Sequence, residues 1–504
     1  MTAKSRTIES TIAGVVALCV LWGCTAASPG VQEQAAAAAP LEQAAQTSDK
    51  PPNVIIILAD DVGYADISAY GVNRIPTPNI DRIGLDGVRF TDGYVSAPVC
   101  GPSRAGLMTG RYQDRFGFEY NNGPARRDVE DNLGLPEDEI TIGAALQTVG
   151  YHTGVIGKWH LGANDAYYPT NRGYDEFVGF LPGATSYMDP NAPGVHVYQN
   201  ADRSAAGPPS RNRYTQIIEG PNRTVVHNED EYLTDYFGRR AADFIGRNAA
   251  SETPYFLYLA PNAAHDPLMV TQKYYDRFAH IQNEQNRIYA GMVSALDDMV
   301  GEVERAVAAS GEEDNTLIFF LSDNGCAAYY PGMCACEPLR GGKLTHYEGG
   351  ARVPMMMRWP AKLKDGQINR QIVSSMDIFP TVLAAAKGSM PTDRTYDGVD
   401  LMPMLSGQTD EPAHEMLAWR RSPMASIRMG DWKLWKSLDG KFTLLFNLKD
   451  DLNETTNLAD EYPEKLKELE AAFDQWAKDM QDPRWPSRPH VTYDVCGTPF
   501  EVPI

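Results

Sequence analysis

Residues Asn53-Val-Ile-Ile-Ile-Leu58 form an unbroken apolar, mostly β-branched run that stops at Ala59-Asp60-Asp61. A run that does not alternate belongs to a strand covered on both faces, as in the parallel sheet of an α/β domain. Comparable runs recur at 151–156, 255–259 and 316–321. Between the last two, Ile288, Met292, Leu296, Val300, Val303 and Val307 share one helical stripe, which Gly311 closes. Thr77-Pro78 opens an earlier helix with Ile80 and Ile83 on one face, ending by Gly87. Strands alternating with helices predict an α/β domain, a large mostly parallel or mixed sheet flanked by helices, over 53–414. From about residue 415 the texture changes. Residues 424–435 and 442–448 read as paired antiparallel strands, followed by a helix with Leu466, Leu469, Phe473, Trp476 and Met480 at 3-4 spacing. A small α+β subdomain over 415–504 is expected.

The chain has 45 Lys+Arg against 66 Asp+Glu, a formal net charge of -21. That balance excludes a general nucleic-acid binder, which needs a basic footprint. It leaves room for an anionic substrate, because a few cations clustered in a pocket outweigh a distant acidic surface. Lys4 and Arg6 precede an apolar run over 12–22 that is too short to span a bilayer and reads as a secretory signal, 1–23. Leu21-Trp22-Gly23-Cys24 resembles a bacterial lipobox, which would make Cys24 a lipid anchor; plain secretion after cleavage near Ala26-Ala27 is the alternative. Residues 24–52, rich in Ala, Gln, Glu and Pro, read as a tether. The expected location is therefore exported: periplasm or outer membrane.

Polar residues sit where the strands end. The first strand runs into Asp60-Asp61, and the strand ending at Leu321 runs into Ser322-Asp323-Asn324-Gly325. Open α/β sheets bind ligands beyond the carboxyl ends of their strands. Carboxylate and amide oxygens are hard donors that suit Ca²⁺ or Mg²⁺ rather than zinc. Either pair alone reads as well as a turn.

Val99-Cys100-Gly101-Pro102-Ser103-Arg104, continuing Ala-Gly-Leu-Met-Thr-Gly110-Arg111, resembles the activation signature of the formylglycine-dependent sulfatases, of the alkaline phosphatase superfamily. Other motifs agree in order: Gly157-Lys158-Trp159-His160-Leu161-Gly162, Ala264-His265-Asp266-Pro267, Asp323-Asn324-Gly325, Gly341-Gly342-Lys343 and Tyr347-Glu348-Gly349-Gly350. The resemblance spans about 53–480. It implies that Cys100 is oxidised to formylglycine by a maturation enzyme. One hydroxyl of the hydrated aldehyde attacks sulfur; loss of the other's proton releases sulfate. It implies one Ca²⁺ held by Asp60, Asp61, Asp323 and Asn324, with residue 100 (Cys100) as a further ligand. Arg104 would hold the formylglycine hydroxyl, Lys158 and Lys343 would neutralise sulfate oxygens, His160 would take the elimination proton, and His265 would donate to the leaving oxygen. Which histidine is the acid stays open. His196, His227 and His346 are candidates for substrate contact.

Four cysteines remain beyond the signal and Cys100: Cys326, Cys334, Cys336 and Cys496, an even number suited to disulfides in an exported chain. Pairing Cys334 with Cys336 would strain a short loop, so one is expected to meet Cys326 and the other Cys496. A soft-metal site at Cys326, Cys334 and Cys336 is the rival. The long stretch 163–235, loaded with Asn, Pro, Gly, Tyr and Arg, reads as irregular loop and suits sugar and sulfate contacts. The expected substrate is a sulfated polysaccharide or its oligosaccharides, an algal galactan first and a glycosaminoglycan second. Phosphonate monoester or phosphodiester hydrolysis is the alternative activity, and a glycan-binding lipoprotein with an unmodified Cys100 the alternative class.

Overall fold

The Asn53–Ala59 strand is buried along its whole length, and its side chains divide the core. Ile55, Ile57 and Ala59 meet residues such as Ile80, Phe237, Ile288 and Val300 of helices Pro78–Leu85, Leu233–Ala249 and Glu284–Ser310. Val54, Ile56 and Leu58 share a second cluster with Leu107, Leu146 and Val382 of helices Cys100–Thr109, Ile142–Gln147 and Ile378–Ala385. Successive strand residues point to opposite faces, so a strand that is apolar throughout ends up between two helical layers. The computed structural model describes residues 50–504 except 72, 73, 124, 199–209, 331, 334–337, 488, 489, 496, 497 and 504; of 490–495 and 498–503 only the backbone is described. The expected signal, the lipid anchor at Cys24 and the tether up to residue 49 lie outside the described residues. Among those residues no helix is long and apolar enough to cross a membrane.

The main sheet has ten strands. Its middle is parallel, with Thr316–Ser322, Asn53–Ala59, Tyr255–Ala260, His152–Lys158 and Glu176–Phe180 side by side in that order. Antiparallel pairings follow on both sides: Met355–Arg358 against Thr316–Ser322 and Val88–Phe90 against Met355–Arg358 on one, Ile218–Glu219 against Glu176–Phe180 and Thr224–Val225 against Ile218–Glu219 on the other. Gln367–Asn369 completes the first edge, parallel to Val88–Phe90. The expected mixed sheet is therefore present. Glu176–Phe180 is an addition, since it lies inside the stretch read as irregular. Gly179 breaks its apolar run but is needed there: a Cβ would stand 1.9 Å from the Gly157 carbonyl oxygen on the neighbouring strand.

The C-terminal region is a four-stranded antiparallel sheet, Met416–Arg421, Met424–Met429, Trp432–Ser437 and Thr443–Asn447. The run 424–435, expected as one strand, is a hairpin turned at Gly430, whose φ is +54°. Leu469, Phe473 and Trp476 of helix Pro463–Ala477 bury against this sheet. A hairpin of His490–Val495 and Thr498–Pro503 follows. The four-stranded sheet is stitched to the main body. Trp419 Nε1–H donates to Val95 O at 2.7 Å, and Arg428 Nη1 lies 2.7 Å from Asp92 Oδ1.

Just before it, His414 Nε2 lies 2.7 Å from Asp377 Oδ1, with the imidazole side chain only 10 % exposed. Burial lowers the imidazole pKa, but the Asp377 charge and hydrogen bond outweigh it and hold the pKa above its ordinary value. A raised histidine pKa stabilises the fold fully below the unfolded value of about 6.5, and the contribution fades as pH rises through the folded value. His414→Gln will therefore cost about 1.5–3 kcal/mol at pH 5.5, and the deficit against wild type will shrink as pH rises. Urea unfolding of both proteins from pH 5.5 to 9 checks this.

Candidate active site

The register of the parallel strands assembles the site. Leu58 pairs with Leu321 and Ala59 with Ser322, so Asp60-Asp61 and Asp323-Asn324 emerge together from adjacent strand ends. The Asp323 N–H donates to Ala59 O at 3.0 Å, and the Asp61 N–H faces Asp323 Oδ1 at 3.3 Å. Tyr255–Ala260 and His152–Lys158 end beside them and deliver Lys158, His160 and His265. Helix Cys100–Thr109 brings Cys100 in its first turn and Arg104 one turn later. Gly110 closes that helix with φ +65°.

Cys100 Sγ lies 3.7 Å from Asp60 Oδ1 and 3.9 Å from Asp61 Oδ1. It is a buried free thiol. Burial, reinforced by Asp323, pushes the thiol up to about 12 against Lys158 and Lys343. Such a group stays protonated and is a poor thiolate nucleophile. Asp60, Asp61, Asp323 and Asn324 are fully buried. Three cations face the three carboxylates: Lys158 Nζ 2.6 Å from Asp60 Oδ2, Lys343 Nζ 2.8 Å from Asp61 Oδ1, and Arg104 Nη2 2.7 Å from Asp323 Oδ2. Burial raises the Asp60 carboxyl, yet Lys158, His265 and Arg104 together hold it well below the usual range. Asp323 goes the other way, to about 6, because burial and the Asp60 charge outweigh Arg104. Asp61 raises the Lys343 ammonium well above its ordinary value despite burial.

The structure brings every expected site residue into this region, with three differences in how they are engaged. Arg104 was expected on the residue-100 hydroxyl. Its hydrogen bonds go instead to Asp323 (Nε, 2.9 Å), Lys158 O (3.1 Å) and Tyr258 Oη (3.3 Å). Lys158 and Lys343 lie on carboxylates, because buried anions draw the nearest mobile ammonium. His265, expected only as an acid, joins Asp60, Asp61 and Cys100 in a group whose ligand atoms all lie within 4.8 Å of one another. A divalent cation fits this donor set. Beyond the carboxylates, Asn324 Nδ2 donates to Asp61 Oδ1 at 2.7 Å while its Oδ1 is buried with no hydrogen-bond partner. A buried amide oxygen left unpaired among carboxylates is a vacant hard ligand.

The two histidines differ. His160 is 3 % exposed, with Nδ1 unpartnered. Burial, then Lys158 and Arg104, hold its pKa well below the ordinary value, so it is a neutral proton acceptor. His265 has a 13 % exposed side chain, with Nε2 3.7 Å from Asp61 Oδ2. Its Nδ1 lies 2.7 Å from Asp266 O, a carbonyl that selects the Nδ1–H tautomer. The Tyr330 hydroxyl donates to the Asp266 carboxylate and closes the segment from the other side. His196 instead stacks on Tyr275 with ring centroids 3.7 Å apart, and His227 is an exposed loop residue. His346 is buried with both ring nitrogens unpartnered, and burial takes its pKa down to about 3. Cys326 is disulfide-bonded; Cys334, Cys336 and Cys496, and with them the connectivity, lie outside the described residues.

Sequence reasoning missed three contributors. Tyr258 braces Arg104 from inside a strand, where it reads as core. Asn121 Oδ1 accepts the Gly101 N–H at 2.9 Å at the start of the Cys100 helix. Gly183 gives the His160 ring its room: a Cβ there would stand 2.7 Å from Nε2. Gly183→Ala will displace the ring and lower kcat about 10–100-fold with little change in Tm. Steady-state kinetics beside thermal unfolding checks this.

A mixed sheet with buried acidic oxygens, three balancing cations and a helix-borne residue 100 at its carboxyl edge defines a hydrolase for small anionic esters. Residues 52–389 match the Sulfatase family, and residues 342–481 match a family described as N-sulphoglucosamine sulphohydrolase, C-terminal. The chain belongs to the sulfatase family and is a sulfuric ester hydrolase. It is 34 % identical to N-acetylgalactosamine-6-sulfatase of Canis lupus familiaris over 76 % of this chain and 71 % of that one. It is 32 % identical to Arylsulfatase G of Homo sapiens over 91 % of this chain and 93 % of that one. Among solved structures it resembles Ps i-CgsB in complex with k-i-k-neocarrahexaose, at 35 % identity and TM-score 0.77, covering 86 % of this chain and 95 % of that one. A sulfatase structure titled for glycosaminoglycan metabolism by Bacteroides thetaiotaomicron matches at 26 % identity and TM-score 0.68, over 85 % of this chain and all of that one.

Proposed function

We propose that this chain is a carbohydrate sulfatase that removes sulfate from a sulfated galactan or its oligosaccharides, using formylglycine at position 100 and one Ca²⁺. The observation that carries this reading is the convergence of Asp60, Asp61, Cys100 and His265 on one point, with the orphan oxygen of Asn324 beside them. The carbohydrate preference is supported by the similarity to a structure solved with a neocarrahexaose. The relatives named for N-acetylgalactosamine 6-sulfate keep a glycosaminoglycan as the second reading.

Asp60, Asp61, Asp323 and Asn324 would hold the cation, which would polarise a sulfate oxygen and favour the ionised form of a neighbouring hydroxyl. A hydrated aldehyde at position 100 would supply the nucleophile and, by reverting, the means of releasing sulfate. The protein's side chains do the rest. With a metal holding the carboxylates, Lys158 and Lys343 would be free to turn their ammonium groups to the sulfate oxygens. Arg104 holds Asp323 in place. His160, neutral and enclosed, accepts a proton. His265 keeps one proton at Nδ1 on the Asp266 carbonyl; Nε2, on the more open side, would first have to take up a second proton, against the lowering by burial and Lys343, and would then pass it to the leaving alkoxide. Three carboxylates against three cations leave the site near neutrality, so a dication and a dianionic sulfate product add no net charge.

Export, lipidation at Cys24 and a formylglycine-generating partner belong to the same proposal. Parallel assays of the matured protein on sulfate and phosphate esters test the activity, and NMR of desulfated oligosaccharides tests the substrate. A phosphoester preference would overturn the proposal. Metal analysis will find one calcium per chain; a chelator that removes it will lower turnover at least about 10³-fold, and calcium will restore it.

A further inference from the structure

Next to His160 lies a cavity of about 180 Å³. None of the groups assigned above lines it. Two of its walls continue from the reaction centre. Leu181 and Pro182 line it; the Leu181 carbonyl accepts the His160 N–H at 2.9 Å, and the next residue, Gly183, abuts the His160 ring. Ala125 lines it from the helix Ala125–Glu130, four residues past Asn121, which caps the Gly101 N–H.

The charge of this cavity opposes that of the chain. Among the described residues no acidic side chain lines it, whereas Arg213 and Arg223 do, in a protein of net charge -21. Arg223 is engaged already: Nη1 donates to Ala163 O at 2.9 Å, Nη2 meets the exposed Asp165 at 2.8 Å, and the guanidinium lies 4.3 Å from the Tyr168 ring centroid. Arg213 has no carboxylate partner among the described residues. It is exposed, lies 4.6 Å from the Tyr214 ring centroid and donates to Tyr214 Oη at 2.5 Å. A planar guanidinium held on an aromatic ring, with no carboxylate beside it among the described residues, is prepared for an oxyanion. The Tyr214 ring beside it offers a flat, half-polar wall suited to a sugar face.

We propose that this cavity is a subsite for a second sulfate-bearing sugar unit of the substrate, next to the unit that is desulfated, with Arg213 as its anion-binding group. The proposal rests on the carbohydrate-sulfatase reading. It makes the enzyme a reader of sulfation pattern along a chain.

Calorimetric binding in a Cys100→Ala background tests it without turnover. The probes are a carrageenan hexasaccharide with sulfates on several units and a monosulfated galactose. Arg213→Gln will weaken hexasaccharide binding about tenfold and Arg213→Glu about a hundredfold, while the ratio of hexasaccharide to monosaccharide affinity falls by similar factors. Unchanged hexasaccharide affinity, equal losses on both probes, or no hexasaccharide binding without the Arg213 substitutions would each overturn it. Turnover of a small aryl sulfate by the matured wild type is measured alongside. Turnover without hexasaccharide binding sinks the subsite alone, whereas Arg213-dependent binding without sulfatase turnover sinks the reaction and leaves the subsite standing.

Discussion

Cys100→Ala abolishes sulfate-ester hydrolysis, a loss of at least about 10⁴-fold in kcat, while the protein still folds. The size follows from the role, since removing a nucleophile leaves only the rate supplied by binding and electrostatics. The intact fold follows from the surroundings. Cys100 is 1 % exposed, and its sulfur touches carboxylate oxygens at 3.7 and 3.9 Å rather than filling an apolar gap. Serine sharpens the test. A hydroxyl at position 100 can attack sulfur once but lacks the second oxygen needed to expel sulfate. Cys100→Ser should therefore show one turnover and an intact mass heavier by one sulfo group (SO3), carried as a serine O-sulfate ester. A Cys100→Ala protein that retained its rate would dismiss residue 100 as the reacting group.

The second large effect lies away from the reaction centre. Lys433, in the C-terminal sheet, places its ammonium 2.9 Å from Glu348 Oε1 and 3.0 Å from Glu454 Oε1, with both glutamates fully buried. Burial raises the Glu348 carboxyl, but Lys433, Arg428 and Arg352 bring it down to about 2. Burial and the Glu348 charge raise Glu454 to about 7 against Lys433. Glu454 Oε2 also accepts the Glu348 N–H at 2.6 Å, and Glu454 O accepts from Arg340 at 2.9 Å. Lys433→Met keeps the volume, strands the buried Glu454 carboxylate and leaves Glu348 to Arg352 and Arg428 alone, at a cost of about 3–5 kcal/mol. The pH dependence has a definite sign. Stranded carboxyls bind protons more tightly in the folded than in the unfolded chain, so the variant regains stability as pH falls and loses most near pH 8. Urea unfolding at pH 5.5 and 8 measures both. A deficit under 1 kcal/mol, or one flat in pH, would refute the assignment.

Legibility from sequence followed a physical line. Asp60, Asp61, Asp323 and Asn324 were visible because they stop apolar runs, and strand pairing then brings such ends together. Cys100 and Arg104 were visible because one short motif carries them. Glu176–Phe180 was hidden, since close approach to Gly157 required a glycine that interrupts its pattern. The hairpin within 424–435 was hidden because both arms mix apolar with polar residues in the same way and only Gly430-Asp431 marks the bend. The resting places of Arg104, Lys158 and Lys343 could not be read at all. They depend on which buried carboxylate needs a counter-charge, a three-dimensional balance to which spacing is blind. Lys433 and Glu454 likewise look like ordinary surface residues until the sheet closes over them.

The near-total enclosure of Cys100 has a consequence in time. If Cys100 is oxidised to formylglycine as proposed, the enzyme that does so must reach the thiol before its cage is finished, and the cage is finished late, because Asp323 and Lys343 leave the ribosome long after Cys100. At about 5–20 residues per second, the roughly 220 residues separating Cys100 from Asp323 give an opening of roughly 10–45 s. Codon pauses or slow translocation across that interval would raise the share of active molecules without changing one contact in the finished fold.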